Sequence, residues 1–178
     1  MSLPEVCVVL LLRRGPHGVE VLLGETHADD EERIACRSFG AVFADVRVHE
    51  SLTALRVHRV VAAYSVGRLL NAATARSQLQ GGIVWGIGMA LLEHSVLDLE
   101  AGRFVNGNLA EYHVPVNADV GSIETLVVEE ADTAFNALGA RGIGEIGITG
   151  VAGALANALY HATGRRIRDL PITIDKLS

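Results

Sequence analysis

Gly139-Ala140-Arg141-Gly142-Ile143-Gly144-Glu145-Ile146-Gly147-Ile148-Thr149-Gly150 is a glycine-rich loop that carries one carboxylate and leads straight into an apolar helical pattern. Its Gly142, Gly144 and Gly147 satisfy the letters of a dinucleotide-binding fingerprint, which would make the chain a doubly wound α/β protein. That fingerprint works only where a buried strand runs straight into the glycines and a helix opens behind them. Here Asp132-Thr133-Ala134-Phe135-Asn136-Ala137-Leu138 forms no continuous apolar run, and the last strand-like segment ends near Glu130. The nucleotide-loop reading therefore lacks its structural context. A purely structural glycine turn remains, as does a ligand-binding loop that carries a carboxylate, Glu145, close to a helix N-terminus rich in free N–H groups.

On the N-terminal side of this loop, Val42, Ala44, Val46 and Val48 alternate with Phe43, Asp45 and Arg47, the period of a half-buried strand. Residues 54–64 continue with Leu55, Val57, Arg59 and Val61, so the two form a hairpin across residues 49–53, a turn without glycine. From Ala75 to about Leu97 the period is helical, with Leu79, Ile83, Ile87, Leu91 and Val96 roughly on one face. Gly82, Gly86 and Gly88 lower the intrinsic helicity there by about 1 kcal/mol each against alanine, so a closely packed backbone or ligand is expected to compensate. Residues 123–128 read as a further strand. Thr149 is placed to cap a last helix over residues 151–162 that ends at Gly164, and residues 170–174 read as a final strand. Strands and helices do not alternate regularly, so the expected class is α+β, helices layered on a mixed β-sheet.

Of the 178 residues, 49% are hydrophobic, enough for a core of one domain. A net charge of −6 gives no footprint for nucleic acid, and the Arg165-Arg166-Ile167-Arg168 cluster reads as a solvated helix end. Cys7 and Cys36 have no metal-ligand spacing and form no disulfide framework. The seven histidines show no i, i+4 pairing, so no protein-ligated metal is expected. Neither residues 6–12 nor residues 81–92 are long enough to span a membrane, and a cytoplasmic setting is expected, with the periplasm open for a parent complex.

Four blocks carry a resemblance. Asn136-Ala137-Leu138-Gly139-Ala140-Arg141-Gly142-Ile143-Gly144-Glu145 resembles the C-terminal active-site loop of the molybdopterin-binding large subunit in the xanthine dehydrogenase and aldehyde oxidase family. Residues 75–88, from Ala75-Arg76-Ser77-Gln78 to Trp85-Gly86-Ile87-Gly88, are similar to that family's glutamine-plus-glycine helix. Asn106-Gly107-Asn108-Leu109-Ala110-Glu111-Tyr112 and Thr163-Gly164-Arg165-Arg166-Ile167-Arg168-Asp169-Leu170-Pro171-Ile172-Thr173 resemble its following and closing segments. The blocks stand in the family's order, within its bacterial aldehyde- or isoquinoline-oxidising branch. The likeness is clear over residues 38–178 and leaves residues 1–37 a poorly assigned N-terminal segment.

The resemblance implies the C-terminal half of a molybdenum-cofactor-binding domain, as a piece of a larger subunit. It implies hydroxylation of an aldehyde or N-heteroaromatic carbon with water-derived oxygen. Glu145 would be the general base, and Gln78, Arg141, Gly142 and Gly144 would bind a molybdenum-molybdopterin cofactor, whose cytosine dinucleotide form is one option. The apolar neighbours Ile143, Ile146 and Ile148 would desolvate the carboxylate, and Trp85 and Tyr112 are candidates for lining substrate access or for ordinary burial. Implied partners are the N-terminal portion of the large subunit, an iron-sulfur subunit, an FAD subunit and the small substrate. The isolated chain is expected to be inactive, to bind no cofactor and to self-associate through exposed apolar surface. The alternative is a non-catalytic assembly domain that keeps the fold without the chemistry.

Overall fold

The computed structural model describes residues 37–49, 54–133 and 136–177, with the backbone of three short strands, β1 (Cys7–Val9), β2 (Arg14–Gly15) and β3 (Gly18–Val19). The cysteines' side chains, the apolar segment 6–12 as a whole and most of the turn at 49–53 lie outside the described residues.

Two long strands, β4 (Phe39–Val48) and β5 (Leu55–Ser65), form the expected antiparallel hairpin at the centre of a four-stranded sheet of order β1-β4-β5-β8, where β8 is Ser122–Val127. β1 pairs antiparallel with β4, whereas β8 runs parallel to β5, which makes the sheet mixed. A parallel neighbour needs a long crossover, and α1 (Ala72–Leu91) followed by residues 92–121 provides it. That stretch includes the small ribbon β6 (Leu97–Asp98) and β7 (Arg103–Phe104). α2 (Val151–Thr163) packs on β4 and β1, and α1 packs on α2 and β8.

The buried face of β4 is Val42, Ala44 and Val46, as its alternation requires. In β5 the buried apolar residues are Val57, Val60, Ala62 and Tyr64, which corrects the reading that put Arg59 and Val61 in phase with Val57. Asp45 faces Arg59 but Val46 faces Val57, so His58 is an extra residue in the ladder. Such a bulge shifts the inward phase by one residue, and it sends Arg59 to solvent, where it pairs with Glu124 at 2.5 Å.

α1 starts at Ala72 and stops at Leu91, not at residues 75 and 97. Asn71 Oδ1 accepts from the N–H groups of Ala73 and Thr74 at 3.1 Å and sets the start. At the other end Leu92 and Glu93 both donate to Gly88 O, which turns the chain away. Ala75, Leu79, Ile83 and Ile87 form the inner row, and full burial of each larger side chain contributes about 1.5–3 kcal/mol. Thr149 does not cap α2. The N-cap is Gly150, left-handed at φ 93°, and no side chain caps the helix, while Gly164 ends it in the left-handed form as expected.

Residues 170–174 form no strand. Pro171 has no donor for a ladder, and the N–H of Ile172 goes to Ala90 O at 2.7 Å. Ile172 and Leu177, the latter in the 3-10 turn Ile174–Leu177, are buried with Leu159, so the segment closes the end of the helix layer instead of extending the sheet. Among the described residues no helix is long and apolar enough to cross a membrane.

Candidate functional site

The glycine loop crosses the C-terminal end of β5 and then passes beside α1 into α2. Its entry is laced to the turn after β5: Arg141 N donates to Val66 O at 3.0 Å, Arg68 N donates to Gly139 O at 2.7 Å, and Ala140 bridges Gly67. Gly139 takes a positive φ of 67°, which a side chain would resist. Asn136 stitches the approach by donating to Ala140 O and accepting from Leu138 and Ala140 N–H. Among the described residues no strand runs directly into Gly142: β8 ends at Val127 and Ala140 makes only an isolated bridge, so the dinucleotide-loop reading lacks its structural requirement.

Beyond Arg141 the loop is held from both sides. The Ser38 hydroxyl donates to Gly142 O at 2.7 Å, and Gln78 Nε2, from the second turn of α1, donates to Gly144 O at 2.7 Å. Across a planar trans peptide the next N–H points the opposite way, so the amides of Ile143 and Glu145 face away from Ser38 and Gln78. Neither amide meets a backbone acceptor among the described residues. The loop's exit is fixed by backbone contact of Gly147 with Gly82 and by Tyr64, whose hydroxyl donates to Gly147 O at 3.3 Å. Burial pushes the Tyr64 phenol up to about 12.

Arg141 turns inward. Its side chain is 7% exposed, with Nη1 donating to Arg37 O at 2.7 Å and Nη2 to Ser65 Oγ at 2.6 Å. Glu130 and Asp132 stand 3.5 and 3.6 Å from the guanidinium, and the Phe39 ring lies 5.9 Å away. Nε is buried with no hydrogen-bond partner. Gly142, Gly144 and Glu145 are exposed, so the apolar pocket expected around Glu145 is not supplied by the described residues. Ile146 leaves it for the core, and Ile143 and Ile148 are half-buried.

A cleft of ≈ 370 Å³ opens between the turn after β5, the first two turns of α1 and the loop, lined by Arg68, Asn71, Thr74, Gln78, Arg141 and Gly144 among others. It brings together three of the residues singled out in the sequence, Gln78, Arg141 and Gly144, while Gly142 and Glu145 lie on the adjoining loop surface. Arg68, Asn71 and Thr74 were not singled out. The signal for Asn71 was local, an N-cap residue ahead of a helical pattern, whereas Arg68 carries none. Trp85 is 52% exposed on the outer side of α1, and Tyr112 donates to Glu93 at 2.9 Å, a bond that raises its phenol above the usual range. Neither lines the cleft. No group of three His, Cys, Asp or Glu able to hold a metal occurs among the described residues.

The glycines fall into two kinds. A Cβ on Gly67, Gly82, Gly86 or Gly147 would strike this chain's own atoms at 2.5–2.8 Å, so the fold itself demands glycine there. A Cβ on Gly142 or Gly144 would meet nothing within 4 Å, and neither has a positive φ. Nothing within the described chain requires glycine at those two positions.

A family model for a molybdopterin cofactor-binding domain matches residues 21–121, a span that contains Gln78 and ends before the glycine loop. The chain is 44% identical over 140 residues to aldehyde oxidoreductase molybdenum-binding subunit PaoC of Escherichia coli (strain K12), covering 79% of this chain and 19% of that protein. Among solved structures, the aldehyde oxidoreductase from Desulfovibrio desulfuricans ATCC 27774 superposes with a TM-score of 0.71 at 27% identity, covering 79% of this chain and 15% of that one. Quinoline 2-oxidoreductase from Pseudomonas putida 86 gives a TM-score of 0.69 at 27% identity, covering 79% and 18% respectively. The chain thus spans about a fifth of the length of these relatives.

Proposed function

This chain belongs to the molybdopterin cofactor-binding domain family, and from that premise we propose that it supplies one wall of the cofactor site, and the proton acceptor, of a molybdenum hydroxylase. The observation that carries the reading is the pair Gly142 and Gly144, exposed glycines with open space where a side chain would stand. Approach by a bulky ligand accounts for them where packing within the chain does not. The residues fit such a group: the Ile143 amide, which faces away from Ser38, donates, and Gln78, whose Nε2 is engaged with Gly144 O, presents Oε1 as an acceptor. Arg141 contributes through the loop that it fastens.

When bound, the molybdopterin centre supplies the two-electron oxidation. This chain's part is positional and protonic. The loop holds Glu145 at the exposed edge of the cleft, where a carboxylate oxygen accepts the proton of the attacking, water-derived nucleophile as it adds to an aldehyde or electron-poor heteroaromatic carbon. The apolar surroundings that would tune Glu145 for this role come from the polypeptide that completes the site. On this reading the chain alone is inactive, and it acts with the remaining part of a large subunit and with redox partners carrying iron-sulfur clusters and FAD.

The test is elemental and pterin analysis of the chain purified from its native host with whatever assembles on it. Molybdenum and pterin in equal proportion to the chain, with co-purifying iron and flavin, are expected. An intact assembly free of molybdenum overturns the reading and favours a non-catalytic assembly role.

A further inference from the structure

The loop that presents Glu145 is built before any ligand arrives, and it is held from two sides, by Gln78 on the cleft side and by Ser38 and the buried Arg141 guanidinium on the interior side. Ser38 stands at the start of β4, buried, and its hydroxyl reaches Gly142 O across 104 residues of sequence. Arg141 is anchored by a backbone carbonyl, a buried hydroxyl and two carboxylates drawn from three separate segments. With Nη1 and Nη2 bonded within the protein and two carboxylates beside it, the guanidinium does not offer its charge to a ligand. What it fixes is the direction in which the chain leaves β5.

We propose that Ser38 and Arg141 are positioning residues that clamp the segment 141–145 from the interior side, holding the Gly142 carbonyl inward so that the Ile143 amide and Glu145 are presented at the surface. This rests on the reading of Glu145 as the proton acceptor, but the clamp itself is open to test without it. The two anchors divide the work. Arg141 fixes the loop's entry through Arg37 O and Ser65 Oγ, and Ser38 fixes the orientation of the Gly142 peptide. Gln78 completes the grip from the α1 side at Gly144 O.

Proteolysis of the full chain reads the clamp directly. The bond after Arg141 is a trypsin site hidden by the buried side chain, and the bond after Glu145 suits a glutamyl endopeptidase but sits in a pinned loop; cleavage at either requires the segment to lift away. Arg103, exposed in β7, serves as an internal control. Ser38→Ala is expected to speed cleavage after Arg141 and Glu145 at least ~10-fold with no change at Arg103, since local opening controls cleavage in this regime. Ser38→Thr, which keeps the hydroxyl, is expected to restore resistance. Arg141→Lys, whose single ammonium cannot serve both Arg37 O and Ser65 Oγ, is expected to open the loop to a similar degree. In the assembled enzyme the same variants should lower kcat while KM and molybdenum content stay near those of the parent. Wild-type resistance in both Ser38→Ala and Arg141→Lys overturns the proposal, as does equal acceleration at Arg103, the mark of general unfolding. The protease result needs neither cofactor nor turnover, so it stands or falls separately from the role of Glu145.

Discussion

Gly82 of α1 and Gly147 of the glycine loop meet backbone to backbone: a Cβ on Gly82 would lie 2.8 Å from the Cα of Gly147, and one on Gly147 would lie 3.1 Å from the Cα of Gly82. This contact brings the loop against the same helix that carries Gln78, one turn earlier. Two adjacent glycines therefore predict opposite outcomes. Gly82→Ala forces backbone against backbone and should destabilise by about 1–3 kcal/mol, as overpacking does. Gly81→Ala points its methyl into open space in a helix interior and should stabilise by up to about 1 kcal/mol. Thermal or urea melting of the two variants checks the pair, and the same sign in both would contradict the packing described.

Tyr64 predicts a stability change at alkaline pH. Burial raises its phenol from 10.0 to about 12, so between those values the folded chain holds a proton that the unfolded chain has released. Its contribution is fully present below pH 10 and is lost as the pH rises through about 12, amounting to about 3 kcal/mol for a shift of two pKa units. Tyr64→Phe removes that slope. At pH 7 it should cost only about 1 kcal/mol or less, because the bond to Gly147 O is long at 3.3 Å. Melting of both proteins from pH 8 to 11.5 should show the parent losing its advantage; parallel curves would exclude a buried phenol.

Much of the framework was legible because it follows local periods. The inward row of β4, the helical row Leu79-Ile83-Ile87 and the left-handed stop at Gly164 each depend on residues a turn or a pleat apart. The phase of β5 was not, because the bulge at His58 exists only in the pairing with β4. The end of the chain misled for a related reason: Ile172 packs with Leu159 against the helix layer while Leu170 and Ile174 stay exposed, which a short apolar run does not distinguish from a strand. At the site, the glycines and Glu145 could be picked out as letters. That Arg141 faces inward could not, since its anchors at Arg37 and Ser65 lie 104 and 76 residues away. Nor could the exposure of Glu145 be read from its isoleucine neighbours, which alternate between core and surface along an irregular loop.

Gln78 tests the α1 side of the loop's grip. Gln78→Ala removes one donor from an exposed position and should cost at most about 1 kcal/mol at any pH. Gln78→Glu sets an acceptor against the Gly144 carbonyl, which disfavours the ionised acid and raises its pKa in the folded state. The stability deficit should therefore be largest above the unfolded carboxyl value of ~4.3 and shrink as acidification supplies a hydroxyl donor. Melting at pH 7 and pH 4 measures it, and equal behaviour of the Ala and Glu variants at both values would show that Gln78 does not hold the loop.

Glu145→Gln separates chemistry from architecture in the complete enzyme. Glu145 is exposed, and among the described residues its side chain makes no hydrogen bond or ion pair, so the amide should leave folding and molybdenum content unchanged. What the amide loses is the capacity to take a proton. If Glu145 is the general base, turnover per molybdenum should fall at least ~10²-fold, the usual contribution of such a group. A merely structural role gives the reverse pattern: the backbone carbonyl of Glu145 accepts from Ile148 N–H at 3.2 Å whatever the side chain, so a structural defect would have to appear as a lower melting temperature or lost cofactor, with the rate per cofactor preserved. A variant with full molybdenum and near-parental turnover would end the catalytic assignment and leave the loop as a cofactor cradle whose base lies elsewhere.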